Sequence, residues 1–336
     1  MNAIRLSAAV LVLAMWVGDL TKVRASDDVM QMEDLCEGDM AWMVGWCLDM
    51  MTPADPDEID ALAMAASSAP DVGTFETIHV PGSSGTRAFG INARGDIVGS
   101  YTDVMGTHGY VLRNGQFTTI DYPNAATTEA WGINPRGDII GRYTRQGVPG
   151  IRGFLLSHGT FSDISIGNHA ITLPTKIGAS GEIVGCFHDA NTLGDMYAYV
   201  QRGNNVTLFA APSTVVPTGS ATMHNGITPG GGTVVGLHNL GPGRPRAYVI
   251  VGDTVTFFDF PGSSATQAWD VNPSGTIVGQ YAAGGKTHGF YHEESGFVSI
   301  DVPASLMTVA RGINPQGDIV GVYNDAAGAH GFVLRR

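Results

Sequence analysis

The stretch "GINPRGDIIGRY", residues 132–143, is written six times along the chain with variations. "GINARGDIVGSY" begins at Gly90, "DVNPSGTIVGQY" at Asp270 and "GINPQGDIVGVY" at Gly312. Looser copies are "KIGASGEIVGCF" at Lys176 and, with one residue inserted, "GITPGGGTVVGLH" at Gly226. Counted along the chain, the third and fourth copies therefore depart furthest from the pattern.

Each copy belongs to a longer repeat with four short strand candidates. In the second repeat these are "FTTIDY", "AWGIN", "DIIGRY" and "RGFLLS". Asn134 and Gly137 in "NPRGD" are turn formers, so this segment predicts a tight hairpin between the second and third strands. The abundance of glycine, 46 residues, and the low charged fraction of 15% also favour short strands joined by turns.

The spacing of the repeats predicts a β-propeller. They open at Phe75, Phe117, Phe161, Val206, Val255 and Phe297, at intervals of 42 to 49 residues, which suits one four-stranded blade each. The chain ends just after "HGFVLRR", so the last blade lacks an outer strand, while "FETIHV" at Phe75 stands alone before the first copy. We therefore expect an all-β, six-bladed propeller over residues 75–336, closed by Phe75–Val80 as an outer strand. A β-helix or an open solenoid is the alternative architecture.

The N-terminus carries an export signal. Arg5 precedes the apolar run "LSAAVLVLAMWVG", and Val23-Arg24-Ala25 offers a cleavage site, so residues 1–25 read as a signal peptide. An uncleaved anchor is the alternative, and no other segment could span a membrane. Cleavage would change the net charge from −13 to −15, because three of 18 basic and one of 31 acidic residues leave. Such an acidic chain is not expected to bind nucleic acid.

Residues 26–68 differ from the repeats and predict a small helical segment. They are rich in Met and Trp, and "DPDEIDALAMAASS" has an N-cap at Asp55 followed by Pro56. Residues 69–74 read as a linker. Cys36 and Cys47 are candidates for a disulfide in an oxidising compartment, provided that the chain turns between them. Cys186 occupies a repeat position and is expected to be a buried, inert thiol.

The repeats resemble those of the HAF-type probable extracellular repeat proteins. The resemblance rests on "GIN-x-x-GDIVG-x-Y" and on "HGY" or "HGF" at His108, His288 and His330, and it covers about residues 75–336. It implies an exported repeat protein and no common catalytic residues, so activity stays open.

Standard catalytic motifs are missing from the sequence: it contains no G-x-S-x-G, P-loop, H-E-x-x-H or C-x-x-C. His108, His288 and His330 occupy one repeated position, which favours a structural role in capping a turn or bonding a neighbouring blade. Phe89, Trp131 and Trp269 are also repeat-equivalent and are expected to pack between blades.

The divergent third and fourth copies carry the candidate ligand or metal residues: His169, His188, Asp189, His224 and His238. The connections that hold them should emerge on one face of two adjacent blades. Imidazoles and a carboxylate can bind Zn²⁺ or another transition metal, and His can act as a general acid or base. The alternative is that these copies have simply drifted and the histidines are solvated.

Three functional hypotheses follow. The first is an exported, monomeric binding propeller for an extracellular glycan, peptide or protein, since a closed ring leaves no sheet edge to pair. The second is an exported hydrolase or lyase that uses the histidine cluster, and it requires those imidazoles to converge. A third hypothesis assigns metal handling to the Met residues and to Cys36 and Cys47 of the N-terminal segment.

Overall fold

The computed structural model describes residues 72–188, 196–209, 221–239 and 245–336. The predicted signal peptide, the helical segment 26–68 and the Cys36–Cys47 disulfide lie outside these ranges, as does Asp189. Strand β1 begins at Thr74, the last residue of the predicted linker. Among the described residues there is no helix long and apolar enough to cross a membrane.

The described chain is built from strands of five to ten residues. In chain order they are β1 Thr74–Ile78, β2 Gly85–Ile91, β3 Ile97–Asp103, β4 Gly106–Arg113, β5 Gln116–Ile120, β6 Thr127–Ile133, β7 Ile139–Arg145, β8 Val148–Ser157, β9 Thr160–Ile164, β10 Ile171–Ile177, β11 Ile183–His188, β12 Tyr197–Arg202, β13 Asn205–Phe209, β14 Ala221–Ile227, β15 Thr233–Asn239, β16 Pro245–Val251, β17 Thr254–Phe258, β18 Ala265–Val271, β19 Ile277–Ala283, β20 Lys286–Glu293, β21 Gly296–Ile300, β22 Met307–Ile313, β23 Ile319–Asp325 and β24 Gly328–Arg335.

These strands form antiparallel units of four, which we number 1 to 6 after the six sequence copies. Unit 1 is β2–β5, unit 2 is β6–β9, unit 3 is β10–β13, unit 4 is β14–β17, unit 5 is β18–β21, and unit 6 combines β22–β24 with β1. The four strands predicted for the second repeat correspond to β5, β6, β7 and β8. The all-β propeller prediction is therefore confirmed.

The division into sheets differs from the six separate blades that the sequence predicts. Units 3, 4, 5 and 6 are separate four-stranded sheets, whereas units 1 and 2 form one eight-stranded sheet. The cause is a parallel pairing between Thr107 of β4 and Thr127 of β6, which joins the two units.

The two ends of the repeat array meet, as expected. Strand β1 pairs antiparallel with β24, with Thr74 opposite Arg335 and Ile78 opposite Gly331. The N-terminal strand thus supplies the outer strand of the last unit. It also covers what would otherwise be the exposed edge of β24.

The hairpin between the first two strands of a unit is held by one asparagine. In unit 2, Asn134 Oδ1 accepts hydrogen bonds from the backbone N–H groups of Arg136 and Asp138, both at 3.0 Å. Its Nδ2 donates to Asp138 Oδ2 at 2.9 Å. The corresponding residues of units 1, 5 and 6 are Asn92, Asn272 and Asn314, and each accepts the equivalent backbone bond. The predicted "NPRGD" turn is confirmed, and Gly137 takes a φ of 93° in it.

The core lies between neighbouring units. Each third strand contributes one aromatic side chain that is less than 2% exposed: Tyr110, Phe154, Tyr199, Tyr248, Phe290 and Phe332. Burial of each such ring stabilises the fold by roughly 1.5–3 kcal/mol, so the six together form a large share of the apolar core. These rings lie at one equivalent position of each unit, so the packing between units explains why an aromatic residue recurs there.

Candidate functional site

The first strands of all six units surround one axis. Their last residues, Ile91, Ile133, Ile177, Ile227, Val271 and Ile313, line a single small cavity. Its volume of about 40 Å³ has room for water but not for a sugar ring or a peptide side chain. We call the space along this axis the channel, and this cavity is its opening on the face of the "NPRGD" hairpins.

Two consecutive positions of each first strand face the channel. The residues next to those that line the cavity are Gly90, Gly132, Lys176, Gly226, Asp270 and Gly312, which we call the glycine level. The residues before them are Phe89, Trp131, Thr175, Asn225, Trp269 and Arg311, which we call the tryptophan level. The glycine level is therefore closer to the hairpin face.

Close approach of neighbouring strands explains the glycines. A Cβ on Gly226 would lie 2.6 Å from Asp270 Cα, and one on Gly90 would lie 2.9 Å from the Trp131 carbonyl oxygen. A side chain at most of these positions would therefore force adjacent units apart. The two exceptions, in units 3 and 5, need a separate explanation.

Those exceptions, Lys176 and Asp270, form an ion pair across the channel. The Lys176 side chain is 12% exposed and that of Asp270 is 1% exposed. Asp270 also accepts backbone hydrogen bonds from Ile313, at 3.0 Å, and from Val271, at 2.9 Å. Burial raises the pKa of Asp270, and the Lys176 ammonium opposes that shift. The pair spans the axis between the hairpin-face cavity and the tryptophan level.

The aromatic residues meet across the axis rather than only between adjacent blades, which corrects the expectation from the sequence. Phe89 and Trp131 stack with ring centroids 4.3 Å apart, as neighbours would. Trp131 of unit 2 and Trp269 of unit 5 are not neighbours along the ring, yet their centroids lie 6.4 Å apart. Both indole groups remain partly exposed.

Two arginines stack on these rings. The guanidinium carbon of Arg311 lies 3.6 Å from the centroid of Trp269 and 5.8 Å from that of Trp131. The guanidinium carbon of Arg142, on the second strand of unit 2, lies 3.7 Å from the Trp131 centroid. These are cation–π distances. Trp131 thus lies between Phe89 and Arg142.

The charge of this cluster is unbalanced. Arg87, Arg142 and Arg311 face one carboxylate, Glu129, which accepts a hydrogen bond from Trp131 Nε1 at 2.9 Å. Burial lowers the pKa of Arg311 to about 9, helped by the positive charges of Arg142 and Arg87 and opposed by Glu129. Among the described residues, the cluster therefore carries more positive than negative charge, in a chain whose net charge is −13.

The channel wall of units 3 and 4 is apolar instead. Leu173, Cys186, Met223 and Leu237 pack in one buried cluster. Cys186 is fully buried, as predicted for an inert thiol, and burial raises its pKa to about 12. The charged cluster around Trp131 thus draws its arginines from units 1, 2 and 6, as Arg87, Arg142 and Arg311.

His224 does not point toward a surface site. It is 1% exposed, its ring lies 5.0 Å from that of Phe209, and its Nδ1 lies 2.6 Å from the Tyr248 hydroxyl. That hydroxyl donates to the Met223 carbonyl at 2.8 Å, so His224 Nδ1–H donates to the phenol oxygen. Burial lowers the pKa of His224 to about 3, which keeps the imidazole neutral.

The other candidate histidines have separate surroundings. His238 is 2% exposed and its Nδ1 lies 2.8 Å from Thr222 Oγ1. His188 is 4% exposed at the end of β11, and His169 lies with its ring 4.6 Å from Phe187. Among the described residues, no group of three or more His, Cys, Asp or Glu side chains could hold a metal ion. The ligand or metal role expected of His169, His188, Asp189, His224 and His238 therefore stays a prediction.

The repeated histidines have a structural role, as predicted, but within their own units. His108 stacks on Tyr101 with centroids 5.2 Å apart, and its Nδ1 lies 2.8 Å from Asp121 Oδ1. His288 stacks on Tyr281 and contacts Asp301 in the same way. His330 stacks on Tyr323 and contacts Asp325. Each histidine thus links strands or turns of one unit.

Sequence reasoning missed the Lys176–Asp270 pair and the two channel arginines. A signal for the pair exists: the third and fifth copies begin with Lys and Asp, where the other four begin with Gly. Opposite charges at one repeat position suggest a contact, because all six positions face the same axis. For Arg142 and Arg311 the signal is weaker, since the equivalent residues vary in every copy.

Comparisons with known proteins give structural similarity only. TolB from Acinetobacter baumannii matches with a TM-score of 0.49 and 17% identity, over 82% of this chain and 68% of that one. The Aleuria aurantia lectin, in complex with α-methyl-L-fucoside, matches with a TM-score of 0.45 and 13% identity, over 77% of this chain and 97% of that one. No family model and no curated protein sequence matches the chain. Similarity at this level describes a fold and assigns no ligand.

Proposed function

We propose that the protein is an exported binding module whose six units act as a six-bladed propeller. Its ligand would be an extracellular glycan, peptide or protein that reaches the tryptophan level of the channel. Access would be from the face opposite the "NPRGD" hairpins, because the Lys176–Asp270 pair spans the axis on the hairpin side. Export is supported by the signal sequence, and membership of the HAF-type repeat family remains part of the proposal.

The observation that carries this proposal is the partly exposed cluster of Trp131, Trp269 and Arg311 on the axis. Aromatic and guanidinium groups that meet on a central axis and stay partly exposed are typical of binding sites. Five residue types occupy the six equivalent positions, so fold maintenance does not require these particular side chains. Partly exposed groups of this kind favour binding over a purely structural role for the channel.

The fluorescence of the channel tryptophans offers a direct test. Of the five tryptophans in the chain, Trp131 and Trp269 lie in the described residues. The exported protein would be applied to glycan and peptide arrays, and each hit titrated while tryptophan emission is followed. We expect saturable quenching that is lost in a Trp131→Phe/Trp269→Phe variant, with binding weakened at least tenfold.

The matched control is Arg246→Gln, which removes an exposed arginine that pairs with Asp259. This variant should bind as the wild type does. A hit that binds the double Phe variant with unchanged affinity, or arrays with no hit at all, would contradict the proposal.

A further inference from the structure

Two guanidinium groups of the channel, those of Arg142 and Arg311, have buried nitrogen atoms without a hydrogen-bond partner among the described residues. Arg142 is 7% exposed, and neither its Nε nor its Nη2 has a hydrogen-bond partner among the described residues. Arg311 has buried Nε and Nη1 atoms in the same condition. Buried polar atoms are nearly always hydrogen-bonded, and buried charges are nearly always paired. These four nitrogen atoms therefore require an explanation.

The stacking described above does not satisfy them. A cation–π contact uses the face of the guanidinium, whereas the N–H bonds lie in its plane. The Trp131 and Trp269 rings thus hold the two groups in place and leave their edges free. Glu129, the carboxylate whose charge acts on both arginines, already accepts a hydrogen bond from Trp131 Nε1.

The free atoms have a geometry that suits an oxyanion. Nε–H and Nη2–H of an arginine lie on one edge and point in parallel, which matches two oxygens of a carboxylate, sulfate or phosphate. In Arg142 these are the two unpartnered atoms. Arg311 lies against the same Trp131 ring and adds a second positive charge. Arg142 is only 7% exposed, and such burial strengthens the contacts that its guanidinium makes.

We propose that the channel binds an oxyanion group of the ligand through the guanidinium edge of Arg142 and the charge of Arg311. The inference rests on the proposed function, because it names the chemistry that the same site recognises. The two arginines place positive charge on the axis of a chain whose net charge is −13, which favours an anion at this site.

Thermal unfolding at constant ionic strength tests the proposal with small probes. Chloride would be replaced in turn by acetate, glucuronate and sulfate, with glucose as the neutral counterpart of glucuronate. We expect the Tm to rise by about 5 °C at a saturating oxyanion concentration, and not to change with glucose. A rise in Tm with acetate and glucuronate but not with sulfate would identify a site for carboxylates. A rise with sulfate alone would identify a site for tetrahedral oxyanions.

Variants connect the shift to the two arginines. Arg142→Gln and Arg311→Gln should lose the oxyanion-dependent rise, and Arg311→Lys, which keeps the charge, should retain part of it. Arg246→Gln should keep all of it. Equal shifts in the wild type and in both glutamine variants, or no shift in the wild type, would overturn the proposal. If Arg142→Gln does not fold, the Tm shifts of Arg311→Gln and Arg311→Lys test the proposal. These two variants should fold because Arg311 is partly exposed.

The result separates this inference from the function it rests on. If a ligand quenches the channel tryptophans equally well in the wild type and in Arg311→Gln, the proposed binding function stands and the oxyanion proposal is refuted. An oxyanion shift without any hit on the arrays would support the channel site while removing the proposed glycan, peptide or protein ligand.

Discussion

The "NPRGD" hairpins and the channel are built from neighbouring residues of the same strands, yet they follow opposite rules. In four of six hairpins an Asn occupies the same position and makes the same bond to the backbone. At the tryptophan level, by contrast, five different residue types occupy six positions. Repetition therefore marks the residues that hold each unit, and variation marks the residues that face the axis.

The hairpins and the channel differ because their side chains have different kinds of partner. Asn134 bonds within its own hairpin, so one solution serves every unit that has such a hairpin. A channel residue instead meets residues from across the ring, so its partner must be complementary rather than identical. Lys176 and Asp270 show this, since they come from two copies of one position.

The largest expected effect comes from breaking that complementarity. Lys176→Met leaves the Asp270 carboxylate buried without its cation, which should lower the free energy of unfolding by about 3–5 kcal/mol at pH 7. Burial already raises the pKa of Asp270, so the loss should shrink as the pH falls and the carboxyl is protonated. Urea denaturation at pH 7 and pH 4 would measure both effects.

A double variant serves as the control for that experiment. Lys176→Met/Asp270→Asn removes both charges and should be more stable at pH 7 than Lys176→Met alone. If the double variant is the less stable of the two, the ion pair does not act as described.

The second effect concerns a position that every copy repeats. A Cβ on Gly141 would collide with the backbone oxygen of Glu129 and with the Phe154 ring, so Gly141→Ala should cost about 3 kcal/mol. Gly230 has open space around a Cβ and no positive φ, so Gly230→Ala should be nearly neutral. Calorimetry of both variants would check this. Equal melting temperatures would refute the close packing of Gly141 against the Glu129 backbone and the Phe154 ring.

The third effect compares a regular hairpin with a divergent one. Asn134→Ala removes the acceptor for two backbone N–H groups, of which that of Asp138 is buried, and should cost about 2 kcal/mol. In unit 4 the corresponding Thr228 accepts one bond, from Thr233 N at 3.1 Å, so Thr228→Ala should cost about 1 kcal/mol or less. Denaturant midpoints of the two variants measure the difference, and a larger loss in Thr228→Ala would contradict the account.

The smallest expected effect is the contribution of Asp138 to the pH dependence of stability. Burial raises the pKa of Asp138, but hydrogen bonds from Ser157, Asn134 and Arg136, with the Arg136 charge, outweigh it and hold that pKa below its usual value. Its contribution is therefore present above pH 4 and is lost as the pH falls through the depressed pKa. The wild type should lose more stability between pH 5 and pH 2 than Asn134→Ala, as thermal scans would show.

The parts of the fold that local sequence patterns determine could be predicted from the sequence. The four strands of a repeat, the hairpin around Asn134 and closure by the strand after Gly73 follow from alternation, turn residues and one unpaired segment. The joining of units 1 and 2 could not be predicted, because it depends on one pairing between Thr107 and Thr127.

The candidate site was harder to predict. A position near the end of a strand indicates a face of the ring, but not the direction of its side chain. His224 lies on such a strand and yet bonds Tyr248 inside its unit. The Lys176–Asp270 contact joins residues 94 positions apart and is visible in the sequence only when repeat positions are compared.

The central claim is that the channel holds an oxyanion between Arg142 and Arg311, and diffraction can locate one directly. A crystal of the protein would be soaked in selenate, and anomalous scattering measured at the selenium edge. The account predicts an anomalous peak within hydrogen-bond distance of Arg142 Nε and Nη2, and no such peak in Arg311→Gln. Selenate found only at surface arginines such as Arg246, with the channel empty, would contradict it.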